Sequence, residues 1–143
     1  MTSESQETVF SGWSVLVIDD EPDSLRIAEL LLKRYGAQVL TALNGHEGLL
    51  AAQIHLPQLI IADLSMPGMD GWQMLAALQQ DTRLRTIPVV ALTAHAMHGD
   101  RERTLAAGFR SYLTKPLKPR TFLQDFLLVL QDIPELSTLL KGN

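Results

Sequence analysis

Short runs of apolar residues alternate along this chain with longer segments whose apolar residues recur at helical spacing. Apolar runs of this length, bounded by turn residues, predict strands that are buried on both faces, and the amphipathic segments predict helices that cover them. We expect five strands, over 13–18, 37–42, 59–62, 87–92 and 110–113. This alternation of strands and helices predicts a parallel sheet with helices on both faces.

The intervals between these strands carry residues typical of helix ends. Pro22 suits the first turn of the first helix. The second and third helices are expected to begin with a polar cap that pairs with a residue three positions on, Asn44 with Glu47 and Asp70 with Gln73. Gly36 suits the position just after the first helix. A fourth helix is expected over 97–107 and a fifth from Phe122 to Leu130. Beyond it we expect a tail with at most one helical turn around Leu136 and Leu139.

The distribution of polar residues among the strands indicates their order. The strands over 13–18, 59–62 and 87–92 are nearly all apolar, so we expect them at the centre of the sheet. The second strand carries Gln38 and the fifth carries Arg110, so we expect both at the edges. The order 2-1-3-4-5 satisfies these constraints and describes a flavodoxin-like α/β fold, a doubly wound (βα)5 parallel sheet. Ligands of such sheets bind at the carboxyl ends of the strands where the winding reverses, here between the first and third strands.

Composition narrows the class of protein. A length of 143 residues fits one globular domain, which we place over 12–131, between a disordered segment over 1–11 and a tail over 132–143. With 12 basic and 16 acidic residues the net charge is −4, which disfavours direct binding of nucleic acid. The chain has no cysteine, no apolar run of membrane-spanning length and no secretion signal. We therefore expect a cytoplasmic protein that does not bind a membrane.

Carboxylates gather at the predicted reversal point of the sheet. Asp19 and Asp20 follow the first strand, and Asp63 ends the third. Two such charges about 4 Å apart repel each other by about 4 kcal/mol at an effective dielectric near 20, so a cation is expected among them. Oxygen ligands without His or Cys suit Mg²⁺. The simpler interpretation, that the first two carboxylates only cap the first helix, is disfavoured because Glu21 and Pro22 already supply the cap and the first helical position.

Thr93 and Lys115 follow the fourth and fifth strands and complete the same edge of the sheet. A hydroxyl and an ammonium beside a metal-bound carboxylate form a place for a phosphoryl group, whose transfer needs positioning and charge neutralisation. Asp63 is then the expected nucleophile, since a carboxylate can carry a phosphoryl group. Alone, Thr93 is more simply explained as a hydroxyl that satisfies the backbone, and Lys115 as a solvated side chain. Their coincidence at successive strand ends favours the functional interpretation.

Four motifs lie at these strand ends. They are Val17-Ile18-Asp19-Asp20-Glu21, Asp63 followed by Met66-Pro67-Gly68-Met69-Asp70-Gly71, Ala91-Leu92-Thr93-Ala94, and Lys115-Pro116. In this order and on this fold they are highly specific, and the chain resembles a response regulator receiver domain (CheY-like) from about residue 13 to residue 131.

The resemblance implies a ligand set. Asp63 would accept a phosphoryl group from a histidine kinase or a histidine phosphotransfer protein. Asp20, Asp63 and the backbone carbonyl of Ser65 would bind Mg²⁺ directly, and Asp19 would act through a metal-bound water. Ser65 and His95 occupy positions that tune the lifetime of the phosphoryl group in the family, although His95 is explained equally well as an exposed loop residue.

The resemblance also implies a switch. Lys115 would pair with the phosphoryl oxygens, and the Lys115–Pro116 peptide bond would be cis. Thr93 would move toward the phosphoryl group and Tyr112 would turn inward. These movements would reshape the surface of the fourth helix, the fifth strand and the fifth helix for a partner protein, as a population shift between two states.

Two other classes of protein remain as alternatives. A pseudo-receiver, a binding module that works without phosphorylation, would not need the polar residues at the strand ends, all of which are present. A haloacid-dehalogenase-like phosphatase also uses an Asp nucleophile and Mg²⁺ on a similar sheet, but it requires a second Asp two residues on, where this chain has Ser65.

We therefore expect a regulator of a two-component phosphorelay, a phosphoprotein that carries an aspartyl phosphate. It would catalyse only its own phosphorylation and dephosphorylation, and it is not expected to be an enzyme for a separate substrate. A monomer and a phosphorylation-dependent dimer both remain open. The tail over 132–143 is too short for an output domain. The chain is therefore expected either to act through protein contacts or to be a receiver from a hybrid kinase or a longer regulator.

Overall fold

The computed structural model describes residues 8–94 and 100–141 of the chain. The strands are β1 (Ser14–Ile18), β2 (Gln38–Ala42), β3 (Leu59–Asp63), β4 (Val89–Thr93) and β5 (Ser111–Thr114). The helices are α1 (Pro22–Arg34), α2 (Gly45–His55), α3 (Gly71–Gln79), α4 (Asp100–Ala107), α5 (Phe122–Gln131) and α6 (Pro134–Lys141). The five predicted strands are confirmed, with ends that shift by one or two residues. None of the helices in the described ranges is long and apolar enough to cross a membrane.

The sheet has the predicted order, β2-β1-β3-β4-β5, and each pair of neighbouring strands is parallel. β1 and β3 are adjacent, with Ile18 opposite Ala62, although a helix, a strand and a second helix separate them in the sequence. The carboxyl ends of these two strands therefore lie side by side at the reversal point of the winding. This register places the residues that follow Ile18 next to Asp63.

Alternation along the central strands builds two cores, one on each face of the sheet. Val15 and Val17 of β1 belong to the core that includes residues of α1 and α5, such as Leu32 and Phe126. Leu16 and Ile18 belong to the other core, which includes Met74 and Leu78 of α3 together with Phe109. Strands that are apolar on both sides are thus buried on both sides, as expected for a parallel sheet.

The helix ends follow the predicted capping pattern. The Asn44 side chain accepts a hydrogen bond from the Glu47 backbone N–H at 2.8 Å. Asp70 and Gln73 form a reciprocal capping box at the start of α3. Gly36 follows α1 with a φ of 98°, a left-handed conformation that favours glycine. These local signals set where each helix begins and ends, and so where each following strand starts.

The folded domain extends further toward both ends of the chain than the sequence predicted. Residues 8–11 form a turn that buries Phe10 completely, although the segment over 1–11 was expected to be disordered. At the other end, the expected tail contains the eight-residue helix α6, and Ile133 and Leu136 are buried. Phe10, Ile133 and Leu136 belong to one core cluster, so apolar burial draws both segments onto the domain.

Candidate functional site

The carboxyl ends of β1, β3 and β5 bring three charged side chains together. Asp63 is the last residue of β3, and Asp19 follows the last residue of β1. Lys115 follows β5, and its ammonium nitrogen lies within 3.0 Å of a carboxylate oxygen of both Asp19 and Asp63. The strand order therefore brings these residues together, as predicted, and their role as a functional site stays a prediction.

The Asp63 carboxylate is held at both of its oxygens. Oδ1 accepts a hydrogen bond from the Ser65 backbone N–H at 3.1 Å, and Oδ2 accepts one from Lys115 Nζ at 2.9 Å. The side chain is only 6% exposed. Burial raises the pKa of Asp63, and the hydrogen bonds from Lys115 and the Ser65 N–H offset that effect in part. These two hydrogen bonds fix the orientation of the carboxylate.

Asp19 is buried and bonds both to the backbone and to Lys115. Its Oδ1 accepts hydrogen bonds from the Glu21 backbone N–H at 3.0 Å and from Lys115 Nζ at 3.2 Å. Its Oδ2 lies 3.0 Å from the same nitrogen but receives no hydrogen bond from the described residues. A buried carboxylate oxygen without a donor is costly unless a cation lies against it.

The three predicted acidic residues can converge on one ion. Asp19, Asp20 and Asp63 each offer a carboxylate oxygen, and these atoms lie within 4.8 Å of one another. Burial, followed by the charge of Asp63, raises the pKa of Asp20. Oxygen ligands alone fit Mg²⁺ better than a softer metal. The role of the Ser65 carbonyl as a ligand stays a prediction.

Lys115 is the cation that balances this cluster. Its side chain is 10% exposed and contacts three carboxylates, Asp19, Asp63 and also Glu21, whose Oε1 lies 2.8 Å from Nζ. Burial disfavours the ammonium, but hydrogen bonds to Glu21, Asp63 and Asp19 outweigh burial and raise the pKa of Lys115. The Lys115–Pro116 peptide bond is cis, as the resemblance implied, and the Lys115 backbone N–H donates to the Thr93 carbonyl at 2.7 Å.

The two predicted switch residues lie on the neighbouring strands. Thr93 is the last residue of β4 and is buried, while Tyr112 of β5 is half-buried and packs against the core on the α3 face. Tyr112 is paired with Ala91 in the β4–β5 register, and Thr93 is paired with Thr114. The fold thus places both residues close to the site, and their movement on phosphorylation stays a prediction.

Beside Tyr112, the predicted partner surface contains a groove of about 630 Å³. Its lining includes Arg101 of α4, Thr114 of β5, and Lys118, Asp125 and Leu128 on or before α5. Leu128 is 61% exposed, so the groove combines apolar surface with charges of both signs. Its place between β5 and α5 matches the surface expected to change with the switch.

Three other residues singled out in the sequence lie near the site, in the core or outside the described residues. Ser65 is exposed immediately beside the site, whereas His95 lies outside the described residues. Trp72 packs edge-to-face on Phe109 at 5.4 Å, and the Arg103 guanidinium lies 4.7 Å from its ring centre. Trp72 is therefore an anchor between helices on this face of the sheet.

Two site residues were missed by sequence reasoning. Glu21 was assigned only to the cap of α1, and its contact with Lys115 joins positions 94 residues apart. Gly71 begins α3, where an added Cβ would lie 2.5 Å from the Asp63 carbonyl oxygen and 2.9 Å from Leu64 Cα. The glycine in the motif after Asp63 was the available signal, since only glycine lets α3 start this close to the end of β3.

Comparisons with known proteins agree with this geometry. A family model described as the response regulator receiver domain matches residues 15–126. The polar-differentiation response regulator DivK of Brucella anthropi is 34% identical over 119 residues, which cover 83% of this chain and 97% of DivK. The sensor histidine kinase GacS of Pseudomonas protegens is 41% identical over 129 residues, which cover 87% of this chain but only 14% of GacS.

A solved structure of a receiver domain has a similar fold. The receiver domain of the sensor histidine kinase PA1611 from Pseudomonas aeruginosa, determined with a magnesium ion in its active-site cleft, superposes with a TM-score of 0.73. It is 28% identical, and the match covers 87% of this chain and 99% of that chain.

Proposed function

The chain belongs to the response regulator receiver domain family, and on that premise we propose that it is a phosphorylation-dependent regulator in which Asp63 accepts the phosphoryl group. One observation carries the proposal. The Asp63 carboxylate is buried, is fixed by the Ser65 N–H and by Lys115, and lies beside two further carboxylates at the reversal point of the sheet.

The reaction we propose is transfer from a phosphohistidine. A carboxylate oxygen of Asp63 attacks the phosphorus, a P–O bond forms, and the P–N bond of the donor breaks with its electron pair left on the imidazole nitrogen. Lys115 already donates to Asp63, and in the product it donates to a phosphoryl oxygen. Thr93 supplies a hydroxyl to the same group. Charge neutralisation and alignment, which these residues provide, are the main requirements of phosphoryl transfer.

Mg²⁺ is proposed to be held by Asp20, Asp63 and the Ser65 backbone carbonyl, with Asp19 acting through a water molecule. When bound, it would neutralise charge that develops on the phosphoryl oxygens. The supporting observations are the convergent carboxylates of this chain and the magnesium ion in the PA1611 receiver domain.

The partners we propose follow from the family and the surface. GacS and PA1611 are sensor histidine kinases, so a kinase of that kind, or a histidine phosphotransfer protein, is the proposed donor in the cytoplasm. Phosphorylation would shift Thr93 and Tyr112 and so reshape the groove between β5 and α5 for a target protein. We expect the chain to catalyse no reaction on a separate substrate.

The test is phosphorylation of the purified protein by acetyl phosphate with Mg²⁺, followed by intact mass. We expect one added phosphoryl group, which is absent without Mg²⁺ and absent from Asp63→Asn. Glu29→Gln, which changes a carboxylate on α1 that pairs with Lys33, is the control and should be phosphorylated normally. An unmodified protein, or an adduct that survives Asp63→Asn, would refute the assignment and favour a pseudo-receiver.

A further inference from the structure

The Glu21 side chain contacts Lys115, and it is neither a helix cap nor one of the proposed Mg²⁺ ligands. Glu21 is the N-cap residue of α1 through its backbone, but its side chain makes no capping hydrogen bond. Instead, its Oε1 accepts a hydrogen bond from Lys115 Nζ at 2.8 Å, the shortest of the contacts that this nitrogen makes. The Lys115 ammonium therefore has a third carboxylate partner outside the buried cluster.

The donors of Lys115 are fully used in this arrangement. An ammonium has three N–H groups, and here Asp19, Glu21 and Asp63 each accept a hydrogen bond from it. A phosphoryl group on Asp63 brings new oxygens that also need these donors. One of the present acceptors must then weaken or leave.

Glu21 is the acceptor that can leave at the lowest cost. Its side chain is 63% exposed, so its carboxylate can return to water, whereas the side chains of Asp19 and Asp63 are 0% and 6% exposed. Asp19 and Asp63 also each accept a hydrogen bond from a backbone N–H, whereas among the described residues the Glu21 carboxylate bonds to Lys115 alone.

We propose that Glu21 is a positioning residue that holds Lys115 in the unphosphorylated protein and competes with the phosphoryl group for its ammonium. The proposal rests on the proposed function, because it concerns how readily the same site is loaded. Glu21 favours the empty state, so the equilibrium for binding a phosphoryl group or its mimic is less favourable with Glu21 than without it.

The experiment is a calorimetric titration with beryllium trifluoride, a mimic of the phosphoryl group, at saturating Mg²⁺. The variants are Glu21→Gln and Glu21→Ala. Asp23→Asn is the matched control, since Asp23 is an exposed acid two residues on in the first turn of α1. We expect Glu21→Gln to bind the mimic about three- to tenfold more tightly, as expected for one charge-assisted hydrogen bond at an exposed position. Glu21→Ala should bind at least as tightly, and Asp23→Asn should stay within about twofold of the unmodified chain.

A second titration, with Mg²⁺ alone, separates positioning from a metal role. Tighter binding of the mimic without tighter binding of Mg²⁺ supports the proposal. Equal affinity for the mimic in Glu21→Gln and the unmodified chain overturns it, and so does an equal gain in Asp23→Asn or a loss of Mg²⁺ affinity of about tenfold or more. If the unmodified chain binds neither the mimic nor a phosphoryl group, the proposed function itself fails, which is a distinct result.

Discussion

Lys115 determines the electrostatics of the site at the scale of single residues. Its buried ammonium faces the carboxylates of Asp19, Asp63 and Glu21, and Asp20 lies close by. One positive charge therefore balances several negative ones, and the excess negative charge is what a divalent cation would neutralise. The same excess lowers the stability of the protein when no cation is bound.

We expect Asp20→Asn to stabilise the protein in the absence of Mg²⁺. Burial and the charge of Asp63 raise the pKa of Asp20, which shows that its ionised form is disfavoured in the folded state. Removing that charge should raise the unfolding free energy and, for a chain of this size, the Tm by a few degrees. Thermal unfolding with and without Mg²⁺ is the measurement.

In the same experiment Mg²⁺ should raise the Tm of the unmodified chain but leave that of Asp20→Asn unchanged, because a ligand has been lost. Asp23→Asn, which removes an equal charge from an exposed position, should respond like the unmodified chain. A lower Tm for Asp20→Asn without Mg²⁺ would contradict the view that repulsion dominates at this position.

The sequence predicted the positions of the buried site residues but not the contact of Glu21. Asp63, Thr93 and Lys115 end or follow strands, and the strand order determined from apolar patterning brings such positions together. Glu21 meets Lys115 through the reach of a long, exposed side chain. No periodicity encodes that reach, since it depends on a rotamer and on a partner 94 residues away.

At the scale of elements, hydrogen bonds hold α6 beside the start of β5. The Arg110 guanidinium and the Glu135 carboxylate form two parallel hydrogen bonds of 2.7 and 2.8 Å. Next to them, Ser111 Oγ donates to Asp132 Oδ2 at 2.9 Å. The Arg110–Glu135 bonds join α6 to the residue before β5, and the Ser111–Asp132 bond joins the end of α5 to the first residue of β5. Together with the burial of Leu136, the bonds of Glu135 account for a helix where a tail was expected.

We expect Glu135→Gln to lower the unfolding free energy by about 0.5–1 kcal/mol at neutral pH, a modest value because Glu135 is half-exposed. The hydrogen bonds with Arg110 lower the pKa of Glu135 from 4.5 to about 2. Because the pKa of Glu135 is lower in the folded than in the unfolded protein, ionisation of this carboxylate stabilises the folded state. The stabilisation is complete above pH 4.5 and is lost as the pH falls from 4.5 toward 2.

Urea unfolding of the unmodified chain and of Glu135→Gln between pH 7 and pH 3.5 tests this pH dependence. The difference between their unfolding free energies should be constant down to about pH 5 and should shrink below it. Glu29→Gln, which breaks the single, exposed contact of Glu29 with Lys33, should cost less than about 0.5 kcal/mol. A difference that grows as the pH falls would be incompatible with this role for Glu135.

The sequence predicted the helices that cover the sheet better than it predicted α6. α1 and α5 carry long apolar stripes, which include Leu25, Leu32, Phe122 and Phe126. Stripes of this length indicate helices rather than loops. α6 has only eight residues, and the burial of Leu136 and the Arg110–Glu135 bonds together hold it on the domain. About two helical turns are too short for an apolar pattern in the sequence to distinguish a helix from a tail.

At the scale of the whole molecule, the core extends beyond the segment that matches the family. The match covers residues 15–126, whereas Phe10 and Ile133 are both completely buried. Phe10 packs edge-to-face on Phe126 at 5.2 Å and lies 5.0 Å from the Trp13 ring, and its backbone N–H donates to the Tyr35 carbonyl. A single aromatic residue in a polar segment did not reveal this packing in the sequence.

We expect Phe10→Ala to lower the unfolding free energy by about 3–4 kcal/mol, the typical cost of deleting a buried aromatic side chain. Chemical denaturation monitored by circular dichroism is the measurement. Ile54→Ala removes an apolar side chain that is 64% exposed and should cost less than about 0.5 kcal/mol. Equal costs for the two variants would show that residues 8–11 do not belong to the folded unit.

The burial of Phe10 and Ile133 in one cluster also bears on how the protein can be handled. Phe10 bonds to Tyr35, just before β2, and Ser111 at the start of β5 bonds to Asp132, so both outer segments join the amino ends of the strands. Asp63 lies at the opposite, carboxyl ends, about 13 Å away along a five-residue strand. We therefore expect fluorophores, surface tethers or fusion partners attached beyond either segment to leave the crevice around Asp63 accessible.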